Sequence, residues 1–166
     1  MGGSASVTAP AAAGSDILMN SNLIAWDQLT IEENGAAVLG KGSYGTVVRA
    51  KLSKKKEVAV KVMIPNSGVN FEKDYSKLRG DVQSEVKILR DIESKLPFRS
   101  DHMIEFLGVV DGLLSPSFQS EFGNKKAMGI VMRLEAGGTL ADYLRVPRGL
   151  GIVDRLHIVL QLARVV

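Results

Sequence analysis

Three glycines recur at a spacing that suits phosphate binding. They form the run Gly40-x-Gly42-x-x-Gly45, and Ser43 and Tyr44 fill its second gap. Because glycine has no Cβ atom, the backbone N–H groups of such a run can approach the oxygens of a phosphate chain closely. Glycines also make ordinary turns, so a phosphate site needs a second feature elsewhere in the sequence.

Two phosphate-binding folds use such a run differently. In a dinucleotide-binding fold the glycines open a helix, and the pyrophosphate lies at the N-terminus of that helix. Here the next residues are Thr46-Val47-Val48, and β-branched residues favour a strand. The sequence therefore favours the other alternative, a strand–turn–strand flap over a nucleotide. A dinucleotide site would require a helix after Gly45.

The second feature is a lysine and a glutamate that interrupt two apolar patterns. Lys61 lies in the strand-like run 58–63, and Glu85 lies within the apolar stripe of a helix predicted over 71–96. Taken singly, each has a simpler explanation, an edge-strand lysine in water and a glutamate at the border of the stripe. A charged group among apolar neighbours needs a partner, so the two together predict one ion pair. That pair would orient the ammonium toward phosphate oxygens.

The elements that must position these residues are closely spaced strands and one long helix. Gly80 interrupts the helical pattern at a cost of about 1 kcal/mol relative to alanine, which suggests a start nearer Asp81. Short apolar helices are predicted at 140–144 and 153–166, and 115–126 is predicted to be a loop. Strands are predicted at 29–31, 36–39, 46–50, 58–63 and 127–134, and 103–114 is predicted to be a strand pair or one long strand.

Composition excludes several classes of protein. The absence of cysteine excludes disulfide frameworks and thiolate metal sites. A net charge of +3, from 21 Lys and Arg against 18 Asp and Glu, is too small to indicate a nucleic-acid partner. No apolar run approaches the ~18 residues of a membrane span. Residues 1–22 are rich in Gly, Ala and Ser, which predicts a flexible leader. Its start fits the N-myristoylation pattern at Gly2, and a cytoplasmic location is expected.

These residues resemble the N-terminal lobe of eukaryotic protein kinases. The resemblance rests on the glycine run with Val47, on Val58-Ala59-Val60-Lys61, and on Glu85 in a long helix. Further along, 130–140 is similar to the fifth strand and hinge of that family, and 155–163 to the helix before its catalytic loop. The resemblance covers 26–166 and looks closest to the tyrosine-kinase-like and tyrosine kinase branches.

The resemblance implies an α+β fold. A five-stranded antiparallel sheet with one long helix would form an ATP-binding N-lobe over 23–135, after the leader over 1–22. The hinge exit and the first helices of an incomplete C-lobe would occupy 136–166.

The resemblance also implies a role for each site residue. ATP would be the nucleotide, with its phosphates under the glycine flap and its α- and β-phosphates held by Lys61, which pairs with Glu85. Met132 would be the gatekeeper behind adenine, and Thr139 stands where some members place a carboxylate for the ribose. The flap would consist of Gly40, Gly42, Ser43 and Gly45, the adenine slot of Leu39, Val47 and Ala59, and the adenine-edge backbone contacts of Arg133 and Glu135.

The remaining kinase motifs do not occur in these 166 residues. They contain no His-Arg-Asp, Asp-Phe-Gly or Ala-Pro-Glu sequence, and Glu121-Phe122-Gly123 precedes the hinge, where no magnesium motif is expected. The resemblance therefore implies a domain truncated before its catalytic loop. Magnesium and a protein substrate are expected only for a complete kinase, and no phosphoryl transfer is expected from this polypeptide alone. The alternative is a non-catalytic, pseudokinase-like module that regulates a partner.

Overall fold

The structure is a computed structural model that describes residues 22–31, 37–65, 70–95, 104–141, 145 and 151–163. The predicted leader, apart from Asn22, and its Gly2 acylation site lie outside the described residues, as do 142–144 and 164–166 of the predicted helices. The strands are β1 (Leu29–Ile31), β2 (Val38–Gly42), β3 (Gly45–Leu52), β4 (Lys56–Met63), β5 (Phe106–Leu113) and β6 (Lys126–Arg133). The helices are α1 (Phe71–Lys95), α2 (Pro116–Phe122) and α3 (Ile152–Ala163), and a 3-10 turn spans Trp26–Gln28.

The strands form one antiparallel sheet in the order β1-β3-β4-β6-β5. Strand β2 also pairs with β3, alongside the part of that strand that β1 leaves uncovered. The sheet thus contains the five strands that the resemblance implies, and β1, which the sequence predicted at 29–31, as a sixth. The α+β architecture, with a curled antiparallel sheet and a long helix, agrees with the predicted fold. The predicted division at residue 135 falls just after β6 and stays a prediction.

Alternation along the strands divides the apolar residues between two faces of the sheet. On β4, Val58, Val60 and Val62 lie in the core of the outer face, where Trp26 and Phe118 cover the sheet. Met63 of the same strand belongs to a second core on the inner face, where α1 packs. Each face therefore has its own hydrophobic cluster.

The outer face is covered by residues 22–31, which we call the N-terminal belt, and by α2. The belt begins at the free edge of β5, where the Ile24 N–H donates to the Val109 carbonyl at 2.8 Å. It crosses beneath the sheet, where the Trp26 ring meets Phe118 edge to face at 4.9 Å between ring centroids. It ends as β1, paired with β3 at the other side of the sheet.

Helix α2 lies where the sequence predicted a loop. Its start is explained by Pro116 at the first helical position, where the missing N–H costs nothing, and its end by Gly123 at a φ of +79°. Short helices escape a periodicity search because seven residues make only two turns. The burial of Phe118 in the outer core is what holds this one in place.

Helix α1 begins at Phe71, as the apolar pattern predicted, and ten residues before the alternative start suggested by Gly80. At its beginning the Asn70 side chain accepts a hydrogen bond from the Lys73 N–H at 3.1 Å, and Glu72 and Asp74 carry negative charge in the first turn. Gly80 is exposed, so its missing side chain removes no packing. Contacts made by the first turns offset the intrinsic cost of that glycine.

None of the described helices is long and apolar enough to cross a membrane.

Candidate nucleotide site

The predicted ion pair between Lys61 and Glu85 is present in the structure. The Lys61 Nζ lies 2.8 Å from both carboxylate oxygens of Glu85. The side chain of Lys61 is 20% exposed and that of Glu85 40%, so the pair is partly shielded and still reachable from solvent. The Lys61 ammonium is therefore fixed in position by Glu85 and stays accessible to a ligand from solvent.

The rotation of α1 about its own axis, which is fixed by its buried residues, explains why Glu85 faces the sheet. Val82 and Val86 are fully buried against the inner face, and Glu85 lies between them at the border of their stripe. Lys61 projects to the same side because its neighbours Val60 and Val62 point into the outer core. Two independent periodicities, one helical and one of period two, therefore bring the charges together.

The glycine run forms a hairpin with a tight turn at Ser43 and Tyr44. Strand β3 begins at Gly45, so no helix follows the run and the dinucleotide alternative is excluded. Gly45 has a φ of +130°, and a Cβ there would lie 2.5 Å from the Val62 carbonyl oxygen, so only glycine fits. A Cβ on Gly40 would meet nothing within 4 Å, which leaves open space on that side of the backbone.

Most residues predicted for the adenine slot share the inner face with Lys61. Val47 lies directly opposite Lys61 on the neighbouring strand, and Ala59 lies opposite Met132. Val47 and Met132 are half-buried, Ala59 is 9% exposed, and Leu39 is 48% exposed at the irregularity in β2. The sheet thus places a flat apolar surface beside the ammonium. That ATP binds to this surface stays a prediction.

The hinge residues follow the end of β6. The Arg133 N–H donates to the Glu105 carbonyl at 2.9 Å. The Arg133 side chain also donates to the Glu135 carboxylate at 2.7 Å. Thr139 is exposed beyond the turn at 136–137. The backbone roles predicted for Arg133 and Glu135, and the ribose role considered for Thr139, stay predictions.

Comparison with known families decides the relationship. A family model described as protein tyrosine and serine/threonine kinase matches residues 34–166. The chain belongs to this kinase family. A comparison with curated proteins finds no match. The match accords with the kinase-like N-lobe of the fold and does not determine the branch. The N-terminal belt lies ahead of the matched residues.

In this kinase lobe, a cavity of about 220 Å³ separates the glycine hairpin from the first half of α1. It lies next to Glu85 and away from the predicted adenine surface. Its wall is mixed, with carboxylates and apolar side chains side by side, and includes Ser43, Tyr44, Met63, Asp74, Leu78 and Glu85.

Sequence reasoning missed a second polar contact of α1. The Tyr75 hydroxyl donates to the Asp111 carboxylate of β5. Burial of the phenol, together with this hydrogen bond, raises the pKa of Tyr75 well above its ordinary value. The ring of Tyr75 packs against the inner cluster as part of the apolar stripe, but a pattern of apolar spacing carries no information about a hydroxyl. The sequence did carry one signal of this contact, because Asp111 is an acidic residue within the apolar strand β5.

Proposed function

We propose that this chain contains the nucleotide-binding lobe of a protein kinase that uses ATP to phosphorylate protein hydroxyl groups. The family match supports kinase chemistry in general, and the paired Lys61 and Glu85 is the observation that supports nucleotide binding at this surface. In phosphoryl transfer the protein contributes mainly by positioning the nucleotide and stabilising its charge, and the Lys61 ammonium, fixed by Glu85, can do both.

The geometry of the pair leaves Lys61 able to bind a phosphate. An ammonium has three N–H donors, and two of them point to the Glu85 oxygens at 2.8 Å each. The third donor remains for an oxygen of the α- or β-phosphate. Glu85 restricts the rotation of the lysine side chain in advance, so less conformational entropy is lost when nucleotide binds.

The glycine hairpin would cover the phosphates from the other side. Gly40 has open space where a Cβ would lie, and a Cβ on Gly42 would meet only the Gly45 carbonyl oxygen, at 3.9 Å, so side chains do not obstruct the approach of an anion to this backbone. Ser43 at the turn adds a hydroxyl donor. Adenine would rest on Val47, Ala59 and Met132, with its edge against backbone groups of the hinge.

We further propose that residues 1–166 alone bind nucleotide but do not transfer phosphate. The polypeptide contains no His-Arg-Asp sequence to supply a catalytic aspartate and no Asp-Phe-Gly sequence to hold magnesium. Among the residues that the structure describes, no three acidic or histidine side chains come together as metal ligands. A radiolabelled ATP assay in which this polypeptide transfers phosphate, and Lys61→Met stops the transfer, would overturn this proposal.

Nucleotide binding can be tested by titrating ATP into the ¹⁵N-labelled chain and following its amide resonances. We expect a dissociation constant weaker than about 1 mM, because the hinge exit and one lobe supply only part of a cleft. The resonances of Gly40, Gly42, Ala59 and Met132 should shift, and Lys61→Met should abolish the shifts. Lys55→Met is the matched control, because Lys55 is an exposed lysine in the turn between β3 and β4. Equal binding by the Lys61 variant, or shifts confined to other regions, would refute the site.

The alternative function, a non-catalytic module that regulates a partner, would draw on α3. Five of its apolar residues are 52–76% exposed, and Ile158 is partly buried; the five are Ile152, Val153, Leu156, Val159 and Leu160. A complete kinase domain would cover such a surface with its own second lobe. Sequencing the transcript past codon 166 separates the two functions. An in-frame His-Arg-Asp and Asp-Phe-Gly would favour the enzyme, and a stop codon would favour the module.

A further inference from the structure

The long helix α1 is attached unevenly to the sheet. Its 25 residues span about 38 Å, and its fully buried residues, Val82 and Val86, both lie near its middle. Tyr75 and Leu78 in the first half are only partly buried, and the cavity of about 220 Å³ separates this half from the glycine hairpin. Apolar packing therefore secures the middle of α1 better than its first turns.

The hydrogen bond from Tyr75 to Asp111 secures the first half. With about 100° of rotation per residue, Tyr75 falls on the same stripe as Val82 and Val86 and faces the sheet. Asp111 lies two residues after the fully buried Val109 on β5, so both side chains point toward α1. The hydrogen bond thus adds a contact between helix and sheet about two turns before Val82, the first fully buried valine of α1.

The position of Glu85 depends on how α1 is held. Tyr75 and Glu85 are ten residues apart, or about 15 Å along the axis. A rigid helix whose fully buried contacts are those of Val82 and Val86, with Leu78 and Leu89 partly buried beside them, can pivot and rotate about its middle. An attachment at Tyr75, seven residues or about 10 Å before Val82, restricts both motions, and Glu85 sits at the border of the stripe, where a rotation moves it away from Lys61.

We propose that Tyr75 is a positioning residue for the nucleotide site. Its hydrogen bond to Asp111 holds the first half of α1 on β5 and so keeps the Glu85 carboxylate within reach of Lys61. The effect of Tyr75 on nucleotide binding rests on the function proposed above, whereas its effect on the Lys61–Glu85 distance does not.

The test measures the ion pair directly in the full 166-residue chain. The NMR signals of the Lys61 side chain are recorded for the wild type and for Glu85→Gln, which marks the unpaired state. Tyr75→Phe removes one oxygen and should move the Lys61 signals at least halfway toward the unpaired position. The initial slope of the ATP titration should also fall about threefold. Ser120→Ala is the control, since it removes a hydroxyl hydrogen bond of 2.8 Å from α2 on the outer face.

Substitutions of the acceptor distinguish positioning from general stability. Asp111→Asn keeps an oxygen that can accept the hydrogen bond and should leave the Lys61 signals near those of the wild type. Asp111→Leu should reproduce Tyr75→Phe. If Tyr75→Phe lowers the melting temperature but leaves the Lys61 signals unchanged, Tyr75 is merely structural and the proposal fails. Unchanged signals with an unchanged melting temperature overturn it equally.

A double-mutant cycle covers the case in which Tyr75→Phe folds poorly. Asp111→Leu and Glu85→Gln should each raise the unfolding equilibrium constant by some factor. The factor for the double variant should be at least about threefold smaller than the product of the two single factors, because loosening α1 already separates Lys61 from Glu85. Distant sites without shared partners otherwise act independently, so a simple product overturns the proposal. If the wild-type chain binds no ATP, the proposed function fails, while the Lys61 signals and the cycle still decide the role of Tyr75.

Discussion

The two faces of the sheet differ in how they are covered and therefore in what they can do. On the outer face the N-terminal belt and α2 enclose an apolar core that includes Trp26 and Phe118. On the inner face α1 packs over a smaller cluster, and the pair of Lys61 and Glu85 stays partly open to solvent. Among the described residues, Ser115 is the one polar residue that is buried, so charge is confined to the surface and the inner face.

One strand serves both faces because its side chains alternate. Val60 of β4 is fully buried in the outer core, and its neighbour Lys61 holds the carboxylate of α1 on the inner side. Stability and chemistry are thus carried by adjacent residues that point in opposite directions. Substitutions on the outer face should affect folding, and substitutions of the charged pair should affect binding.

The largest effect is expected from truncation on the outer face. Phe118→Ala should lower the free energy of unfolding by about 3–5 kcal/mol, because it leaves a cavity and removes the ring contacts with Trp26 and Phe122. Urea denaturation followed by circular dichroism measures this loss. Leu113→Ala, at an exposed position of β5, should cost less than about 0.5 kcal/mol. A loss below about 1 kcal/mol for Phe118→Ala would show that the outer face is not a packed core.

A smaller change in stability is expected on the inner face. Glu85→Gln should lower the free energy of unfolding by no more than about 1 kcal/mol, because both partners are partly solvated. Its effect on ATP binding should nevertheless approach that of Lys61→Met. The same urea series and ATP titration measure both quantities. A stability loss above about 2 kcal/mol, with ATP binding intact, would remove the distinction between the two faces.

The smallest effect is expected in the alkaline pH dependence of stability. The raised pKa of Tyr75 means that the folded state favours the neutral phenol, whose ordinary pKa is 10.0. The stability gained from this group is fully present below about pH 10 and is lost as pH rises toward the folded pKa. The difference in free energy of unfolding between wild type and Tyr75→Phe should therefore be constant near neutral pH and shrink above about pH 10.

Urea denaturation of the two proteins from about pH 8 to about pH 11 measures this difference, and taking the difference cancels the titration of groups they share. A difference that stays constant over the whole range would show that Tyr75 ionises alike in the folded and unfolded chain.

Features that depend on local periodicity were predictable from the sequence. The strand after Gly45 follows from β-branched residues, and the facing of Lys61 and Glu85 follows from two periods that can be counted. The existence of α2 did not follow, and the low helix propensity of Gly80 wrongly suggested a later start for α1 than the predicted Phe71. In both cases local propensity was overridden by packing, of Tyr75 against β5 and of Phe118 in the outer core.

The sequence by itself determined the glycine hairpin, the long helix, the charged pair and the kinase family, because each rests on short-range spacing. Only the tertiary structure decided that the N-terminal belt crosses the outer face and that Tyr75 meets Asp111, a residue 36 positions away. No local period links such residues. Their contact depends on how the sheet brings distant strands and α1 together, which is a property of the packed chain.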